Sequence, residues 1–340
     1  MHIAFFAHVK DPALLDVVDF YRNDITALRE LGFTVSTATT LRELPKNADL
    51  YFTWWWGSGA IALLRSIPRG RPNIFTGTLQ LSPHLDWWEK LGSVKRAIVR
   101  ACIKLATANV GICSVEMGYL RQLGGRNLHL VYQGIDTALY SPPAIRLPSK
   151  TIVTVSHLTR TNATRKCLAT VLRAMPAVLE RHGDAKFVMI GSHEDAYPDL
   201  LALARTLGVS NSISFPGRVS LEEKLAAYRS AAMLAQATIY EGFGVSIAEA
   251  MACGLPVVTS PRGAVVEVVG ECGRFVEPDD HSGMAREIIA LLDAPDAAAA
   301  LGDRARERVI ERFSYRAHRA ALAEVLRSVV PGWTPPVEAT

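Results

Sequence analysis

Two glutamates, Glu241 and Glu249, flank a glycine-rich turn in the stretch YEGFGVSIAEAMACGLPVVTS, residues 240–260. Glu241 follows a predicted strand and a predicted helix begins near Ser246, so Glu249 lies one turn into that helix and can face the same side as Glu241. A helix N-terminus offers unpaired N–H groups and a partial positive charge, which suit a phosphate. Carboxylates accept hydrogen bonds from hydroxyls. The pattern therefore predicts a site for a ligand with both phosphates and hydroxyls, such as a sugar nucleotide.

The same residues allow a purely structural interpretation. Ser246-Ile247-Ala248-Glu249 fits a capping box, in which Glu249 only satisfies a backbone N–H at the helix start. Glycines before a helix also serve tight packing, and short motifs of this kind have many chance matches. The spacing alone leaves the ligand site and the capping box open.

Basic residues follow another predicted strand, Thr151–Val155, in the run VSHLTRTNATRKCL (155–168). An ordinary solvated face at a helix start is the competing interpretation of this run. However, cations at a helix N-terminus oppose the helix dipole, which favours anions there. Arg160, Arg165 and Lys166 therefore predict a bound anion at the end of this strand.

The composition is that of a folded protein with two domains. The chain has 340 residues, of which 49% are hydrophobic and 21% charged, and domains average about 150 residues. No apolar run reaches the ~18 residues of a membrane-spanning helix, and the N-terminus lacks the basic start of a signal peptide. The five cysteines show no C-x-x-C spacing, which predicts reduced core thiols in a cytoplasmic protein. A net charge of +4 suits a polyanionic ligand or an anionic membrane, but it is too weak to indicate nucleic acid.

Short apolar strands alternate with amphipathic helical stretches in both halves of the chain. This alternation predicts two parallel sheets, each covered by helices on both faces. A proline-rich run at 141–150, SPPAIRLPSK, is the predicted linker between them. Ligands of such sheets bind at the carboxyl ends of the strands, where the basic run and the glycine-rich turn are predicted to lie.

The glycine-rich turn and its surroundings resemble a known family. The pattern E-G-F-G-x4-E-A-M-A-x-G-x-P-V is similar to the E-x7-E signature of family-4 retaining glycosyltransferases, which have the GT-B fold. Further segments that resemble the family are VYQGID (131–136), FPGRV (215–219), FVEPD (275–279) and FSY (313–315). The resemblance implies an α/β protein with two doubly wound, Rossmann-like domains that face a central cleft.

The implied domains are an acceptor-side domain at 1–145, a donor-binding domain at 150–312, and a terminal helix at 313–330 that packs back on the first domain. The implied reaction moves a sugar from a nucleotide-diphosphate sugar to an acceptor, with retention of the anomeric configuration, in glycan, glycolipid or polysaccharide assembly. The acceptor, a saccharide or a lipid-linked molecule, is not identified by the resemblance.

The resemblance also implies roles for individual residues. Lys166 and Arg160 are expected to neutralise the diphosphate leaving group, and Glu241 to contact the donor sugar; these three are the predicted catalytic residues. The predicted donor-binding residues are Arg165, Gly242, Phe243, Gly244, Val245, Glu249, on the ribose, and Val219, near the base. No metal and no other cofactor is implied, and the sequence contains no Asp-x-Asp.

Several positions depart from the family pattern. Cys167 stands where a glycine usually follows the lysine, and Ser156-His157-Leu158 replaces the usual Gly-Arg-Leu. Arg165 is therefore the alternative to Arg160 for the phosphate role. The turn after the first strand, Ala7–Pro12, lacks the glycines that the family often has there.

The acceptor side carries two tryptophan clusters, Trp54–Trp56 and Trp87-Trp88, which suit sugar stacking, a membrane interface or plain core packing. His8 and His84 either line the cleft or are structural. A predicted helix near 93–107 carries cations opposite an apolar stripe, and these are Lys95, Arg96, Arg100 and Lys104. Peripheral contact with the inner face of a membrane competes here with an ordinary surface helix.

Two other functions remain open at this stage. A GT-B sugar-nucleotide epimerase would use the same crevice without an acceptor. A non-catalytic sugar-nucleotide binding protein would keep the fold but is expected to lose the cations or one glutamate, and Glu241, Glu249 and Lys166 are all present. A Rossmann dehydrogenase is disfavoured, because no G-x-G-x-x-G follows the first strand.

Overall fold

The computed structural model describes residues 1–79, 81 and 87–336, with the backbone but not the ring of Trp87. The predictions made for His84 and for the Trp87 ring lie outside the described residues. The chain forms two units. The first comprises Met1–Gly134 and the segment that begins at Tyr315, and the second comprises Ile135–Ser314.

The first unit is a parallel sheet with helices. Its strands are β1 (His2–Ala7), β2 (Thr34–Ala38), β3 (Leu50–Trp54), β4 (Asn73–Gly77), β5 (Ala108–Gly111) and β6 (Leu128–Leu130). Its helices up to Gly134 are α1 (Leu14–Val17), α2 (Asp19–Glu30), α3 (Gly59–Ser66), α4 (Trp87–Lys90), α5 (Ser93–Leu105) and α6 (Ser114–Gln122), with a 3₁₀ turn at Ile67–Arg69. The strand order is β2-β1-β3-β4-β5-β6.

The second unit repeats this plan. Its strands are β7 (Thr151–Val155), β8 (Lys186–Ile190), β9 (Ile213–Gly217), β10 (Met233–Gln236), β11 (Val257–Thr259) and β12 (Arg274–Phe275). Its helices are α7 (Arg160–Arg165), α8 (Leu168–Arg181), α9 (Tyr197–Thr206), α10 (Leu221–Ser230), α11 (Val245–Ala252), α12 (Val265–Val269), α13 (His281–Asp293) and α14 (Pro295–Arg312), with a 3₁₀ turn at Ser210–Ser212. The parallel strands follow the order β12-β11-β10-β7-β8-β9. The last helix, α15 (Tyr315–Val329), belongs to the first unit.

Burial explains why these segments form strands. Positions 3–7 of β1 and all of β3 are buried, and Phe5 stacks on Phe52 with ring centroids 5.5 Å apart. Continuous apolar strands of this kind require helices on both faces of the sheet. Helix α8 supplies one such cover in the second unit, with an apolar face that includes Val171, Leu172 and Met175. The predicted pair of parallel sheets is confirmed.

The boundary between the units lies earlier than the sequence predicts. The first unit ends at Gly134 rather than at 145, and the predicted linker at 141–150 belongs to the second unit. Arginines of α10 and α14 explain this, because they bind the carbonyl oxygens of the segment. Arg229 donates to the carbonyl oxygens of Leu139 and Ser141 at 3.0 Å each, and Arg306 donates to that of Tyr140 at 3.0 Å.

The basic run also differs from its prediction. A single helix is predicted over 165–182, whereas the structure has α7 and α8 with a break at Lys166 and Cys167. Cys167 has a left-handed backbone with φ +42°, which ends one helix and begins the next. Most residues other than glycine avoid this conformation, so a helical pattern does not reveal it.

Candidate active site

The carboxylate of Glu241 lies among charges just beyond the carboxyl end of β10. The residue is 7% exposed, and its Oε2 lies 2.9 Å from Nη1 of Arg165. Its Oε1 lies 2.9 Å from Nζ of Lys166, whose own exposure is 9%. The structure thus brings together three of the predicted site residues.

Opposing effects act on the pKa of Glu241. Burial would raise this pKa, because it disfavours the charged carboxylate. The ammonium of Lys166 and the guanidinium of Arg165 outweigh burial and hold the pKa below its usual value. Glu241 is therefore ionised at neutral pH, and two cations against one carboxylate leave one positive charge in excess among these three side chains. A buried excess of positive charge favours an anionic ligand.

Helix α7 carries both cations at its C-terminal end and is tied to the loop that holds Glu241. The carbonyl oxygen of Arg165 accepts hydrogen bonds from the N–H of Ile239 at 2.8 Å and from Oγ1 of Thr238 at 3.0 Å. The guanidinium of Arg165 donates to the carbonyl oxygen of Tyr240 at 2.9 Å. Backbone and side chain together therefore fix the cations against the carboxylate.

Gly263 supports the same loop, because its backbone lies against that of Glu241. Its φ is +58°, and a Cβ at this position would lie 2.4 Å from the carbonyl oxygen of Glu241. The N–H of Ala264 donates to that oxygen at 2.9 Å. Only glycine permits this approach. Sequence reasoning missed Gly263, although SPRG (260–263) directly after a strand is a turn signal.

The N-terminus of α11 follows Glu241 closely. The helix begins at Val245, and its N-cap residue, Gly244, has a left-handed φ of +90°. No side-chain hydrogen bond caps this end, so no side-chain acceptor offsets the partial positive charge of the helix N-terminus. The capping-box interpretation is wrong, because the helix begins before Ser246 and Glu249 lies in its second turn.

The side chain of Glu249 contacts α10 instead. Nζ of Lys224 lies 2.9 Å from Oε1 of Glu249, and Oη of Tyr228 donates to Oε2 at 2.9 Å. Glu249 is 3% exposed. The sequence analysis did not predict Lys224 and Tyr228 as partners of Glu249. The one indication in the sequence is that they lie four residues apart on a predicted helix and therefore share a face of it.

Three other predicted site residues have no contact with the Glu241 cluster, which consists of Glu241, Arg165 and Lys166, among the contacts described above. Nη2 of Arg160 is 3.3 Å from Oδ2 of Asp199, and the Arg160 side chain is 69% exposed. Phe243 is buried, and its ring packs edge-on against that of Phe313, with ring centroids 5.6 Å apart. Val219 lies half-buried in the loop after β9.

In the first unit, the indole N–H of each tryptophan in the first cluster is paired. Trp54 and Trp56 are buried and donate to Asp24 at 2.7 Å and to Asn109 at 2.9 Å. Trp55 is half-buried, has a left-handed φ of 73°, and donates to Oη of Tyr21 at 2.6 Å. Core packing therefore accounts for Trp54 and Trp56. His8 is exposed, and its Nδ1 lies 3.1 Å from the carbonyl oxygen of Thr39.

The part of the chain that contains this site is similar to known glycosyltransferases. Residues 149–294 match the family model for glycosyl transferases group 1. The chain is 32% identical over 206 residues to the MMP alpha-(1->4)-mannosyltransferase of Mycolicibacterium hassiacum. This alignment covers 60% of this chain and 49% of that protein. It is 24% identical over 321 residues to the GDP-mannose-dependent monoacylated alpha-(1-6)-phosphatidylinositol monomannoside mannosyltransferase of Corynebacterium glutamicum, with 87% and 81% covered. The chain thus spans about half the length of the first relative.

Solved structures decide the fold. The chain is similar to Anabaena HepE in complex with UDP, with a TM-score of 0.79, 19% identity, and 96% of this chain and 100% of that chain covered. It is also similar to sucrose-phosphate synthase from Thermosynechococcus elongatus, with a TM-score of 0.74, 19% identity, and 96% and 98% covered. The chain has the GT-B fold. The predicted fold class is thereby confirmed, and the Glu241 cluster lies in the second Rossmann-like unit of this GT-B protein.

Proposed function

We propose that this GT-B protein is a retaining glycosyltransferase of family 4, which moves a sugar from a nucleotide-diphosphate sugar to an acceptor. The observation that carries the proposal is the buried contact of Glu241 with Lys166 and Arg165 next to the uncapped N-terminus of α11. Glu241 and Glu249 form the E-x7-E pair in this proposal. The matching domain model and the mannosyltransferase relatives favour transfer over epimerisation and over binding alone.

The charges suit the departure of a nucleoside diphosphate. Cleavage of the sugar–phosphate bond leaves an oxocarbenium-like sugar and a diphosphate with growing negative charge. Lys166 and the amides near Gly244 and Val245 would neutralise the diphosphate. A cation and a phosphate at ~4 Å attract by about 4 kcal/mol at an effective dielectric of ~20, before desolvation costs. Glu241 would then contact the hydroxyls of the donor sugar, and Glu249 those of the ribose.

Catalysis is expected to need no metal, because side-chain cations and helix amides supply the positive charge next to Glu241. Transfer activity should be unchanged after dialysis against EDTA. A loss of activity that Mg²⁺ or Mn²⁺ restores would contradict this part of the proposal.

The test of donor binding is ligand-dependent thermal stability. A ligand at 100 times its Kd stabilises the folded protein by about 2.7 kcal/mol. GDP, GDP-mannose, UDP and UDP-glucose are the probes, because relatives are named as GDP-mannose-dependent and a solved structure contains UDP. Lys166→Ala should lose the ligand-induced rise in melting temperature, whereas the exposed control Lys150→Ala should keep it. No shift of the wild-type protein with any of the four would overturn the proposal.

Turnover and stereochemistry complete the test. Lys166→Ala should reduce transfer by about 100-fold or more with a much smaller effect on stability. The anomeric configuration of the product, read by NMR, should match that of the donor. Formation of an epimerised nucleotide sugar without transfer would favour the epimerase instead.

The first unit is the proposed acceptor side. Its helix α5 has the positive charge and the exposed apolar side chains that favour contact with an anionic membrane. Segment 51–126 contains ten Lys or Arg and three Asp or Glu, a net charge of +7 against +4 for the whole chain. Apolar side chains on α5 are also exposed, with Val94 at 71%, Leu105 at 55% and Ile98 at 37%. None of the described helices is long and apolar enough to cross a bilayer. We therefore propose that this is a cytoplasmic protein that makes peripheral contact with the inner face of a membrane, where a lipid-linked acceptor would be reached.

Vesicle flotation tests this contact. The protein should float with vesicles of phosphatidylcholine and phosphatidylglycerol at 3:1 but not with phosphatidylcholine alone. Ile98→Asp should abolish flotation, whereas Ile310→Asp should not, because Ile310 has a similar exposure of 39% but lies in the second unit. Equal flotation of both variants would remove α5 from the proposal, and no flotation of the wild type would favour a soluble acceptor.

A further inference from the structure

The carboxylate of Glu249 is gripped at both oxygens by residues of α10. Nζ of Lys224 lies 2.9 Å from Oε1, and Oη of Tyr228 donates to Oε2 at 2.9 Å. Lys224 and Tyr228 are four residues apart and therefore lie on the same face of α10. Each carboxylate oxygen has two lone pairs, so each retains one for a further donor.

The two gripping side chains are themselves fixed. The ammonium of Lys224 lies 5.1 Å from the ring centroid of Tyr140, in a cation–π contact. Tyr140 also packs edge-on against Tyr228, with centroids 6.5 Å apart. The start of α10 is held by a capping box between Ser220 and Glu223. The side chain of Lys224 is only 19% exposed. Its position is therefore fixed by these contacts, unlike that of a flexible lysine on the protein surface.

Charge neutralisation alone does not explain this arrangement. A buried carboxylate needs a cation, and Lys224 supplies it. Tyr228 adds a second, neutral donor at the other oxygen. Burial, together with the charge of Glu249, raises the pKa of Tyr228, so the phenol remains a donor at neutral pH. Two donors on separate oxygens fix the plane of the carboxylate, whereas a single ion pair would neutralise the charge without fixing that plane.

We infer that Lys224 and Tyr228 are positioning residues that orient the carboxylate of Glu249 toward the ribose hydroxyls of the donor nucleotide. The inference rests on the proposed function, since it assigns the ribose to Glu249. It predicts that recognition of the ribose, rather than of the diphosphate, depends on Lys224.

The experiment compares nucleotides with and without ribose hydroxyls. Isothermal titration measures the Kd of GDP and UDP, and of their 2′,3′-dideoxy forms, for the wild type, Lys224→Met, Lys224→Arg and Tyr228→Phe. The wild type should bind the ribose form about 10- to 100-fold more tightly than the dideoxy form, because hydrogen bonds to a charged group are lost. Lys224→Met should reduce this ratio to about 3 or less, Tyr228→Phe should reduce it partly, and Lys224→Arg should restore most of it.

A matched control separates positioning from folding. Lys186→Met removes a lysine of the same unit whose ammonium donates to the carbonyl oxygen of Asn211, and it should leave the ratio unchanged. If Lys224→Met lowers the melting temperature but keeps the wild-type ratio, Lys224 is only structural and the inference fails. A wild-type ratio near 1 also overturns it. If neither GDP nor UDP binds the wild type, the proposed function itself fails, which is a distinct result.

Discussion

At the scale of single residues, the candidate site contains more charge than packing requires. One cation would neutralise Glu241, yet Lys166 and Arg165 both contact it at 2.9 Å. A buried second cation costs desolvation energy unless another negative group binds nearby. The diphosphate of the proposed donor is such a group, and the uncapped end of α11 would bind it from the adjacent direction.

This geometry predicts which arginine serves the diphosphate. Arg165 contacts Glu241, whereas Arg160 pairs with Asp199 and is 69% exposed. Arg165→Ala should therefore reduce kcat by about 100-fold, and Arg160→Ala by less than about 5-fold, when transfer is measured at saturating donor. Equal losses in the two variants would restore Arg160 to the catalytic role that the family resemblance implies.

At the scale of elements, the break between α7 and α8 positions the cations of Arg165 and Lys166 against Glu241. Lys166 and Cys167 interrupt the helical path, and Cys167 takes the left-handed conformation at φ +42°. If one helix continued through residues 166 and 167, the end of α7 that carries both cations would not lie beside the loop of Glu241. The buried thiol of Cys167 is protonated, because burial raises its pKa to about 11.

The backbone at Cys167 predicts an unusual order of tolerated substitutions. Cys167→Gly should change the free energy of unfolding by less than about 1 kcal/mol, because relief of the left-handed backbone offsets the extra flexibility of the unfolded chain. Cys167→Val should cost about 2 kcal/mol and lower transfer activity, because a β-branched residue is poorly accommodated there. Urea denaturation followed by circular dichroism measures both.

Cys102 offers the matched control. It is buried within α5, where the backbone is helical, so Cys102→Val should be better tolerated than Cys167→Val. If the two valine variants lose the same stability, the left-handed backbone is not the cause.

The elements that the sequence predicts well are those with strong local patterns. The apolar run of β7 places this strand at its predicted bounds, Thr151–Val155, and the E-x7-E stretch places Glu241 after a strand and Glu249 on a helix. Helix α14 has no predicted counterpart, because its buried face includes alanines and Gly302, which leave weak periodicity. The contact of Lys224 with Glu249 joins residues 25 positions apart, and no local pattern reveals such a pairing.

At the scale of the whole molecule, the chain leaves the first unit at Gly134 and returns to it at Tyr315. Helix α15 completes the core of that unit with apolar residues such as Leu322 and Leu326. It also brings in a buried ion pair, because Nε2 of His318 lies 2.9 Å from Oδ1 of Asp24. The first unit is therefore expected to need its C-terminal segment in order to fold.

The His318 pair makes the stability of this unit depend on pH. Burial would lower the pKa of His318, but Asp24 and the carbonyl oxygen of Tyr132, at 2.7 Å from Nδ1, outweigh it and raise the pKa above 6.5. The stability from this proton is fully present below pH 6.5 and is lost as the pH rises through the raised pKa. His318→Gln should therefore cost about 3 kcal/mol at pH 6 and less at pH 9.

Tryptophan fluorescence is the suitable probe for this prediction, because all six tryptophans lie in the first unit. Urea unfolding at pH 6, 7, 8 and 9 compares the wild type with His318→Gln and with the double variant Asp24→Asn/His318→Gln. Both variants should have a flatter pH dependence than the wild type, since neither binds the extra proton in the folded state. If the wild type and His318→Gln lose stability in parallel from pH 6 to 9, another group controls the slope, and the imidazole of His318 is uncharged in the folded unit.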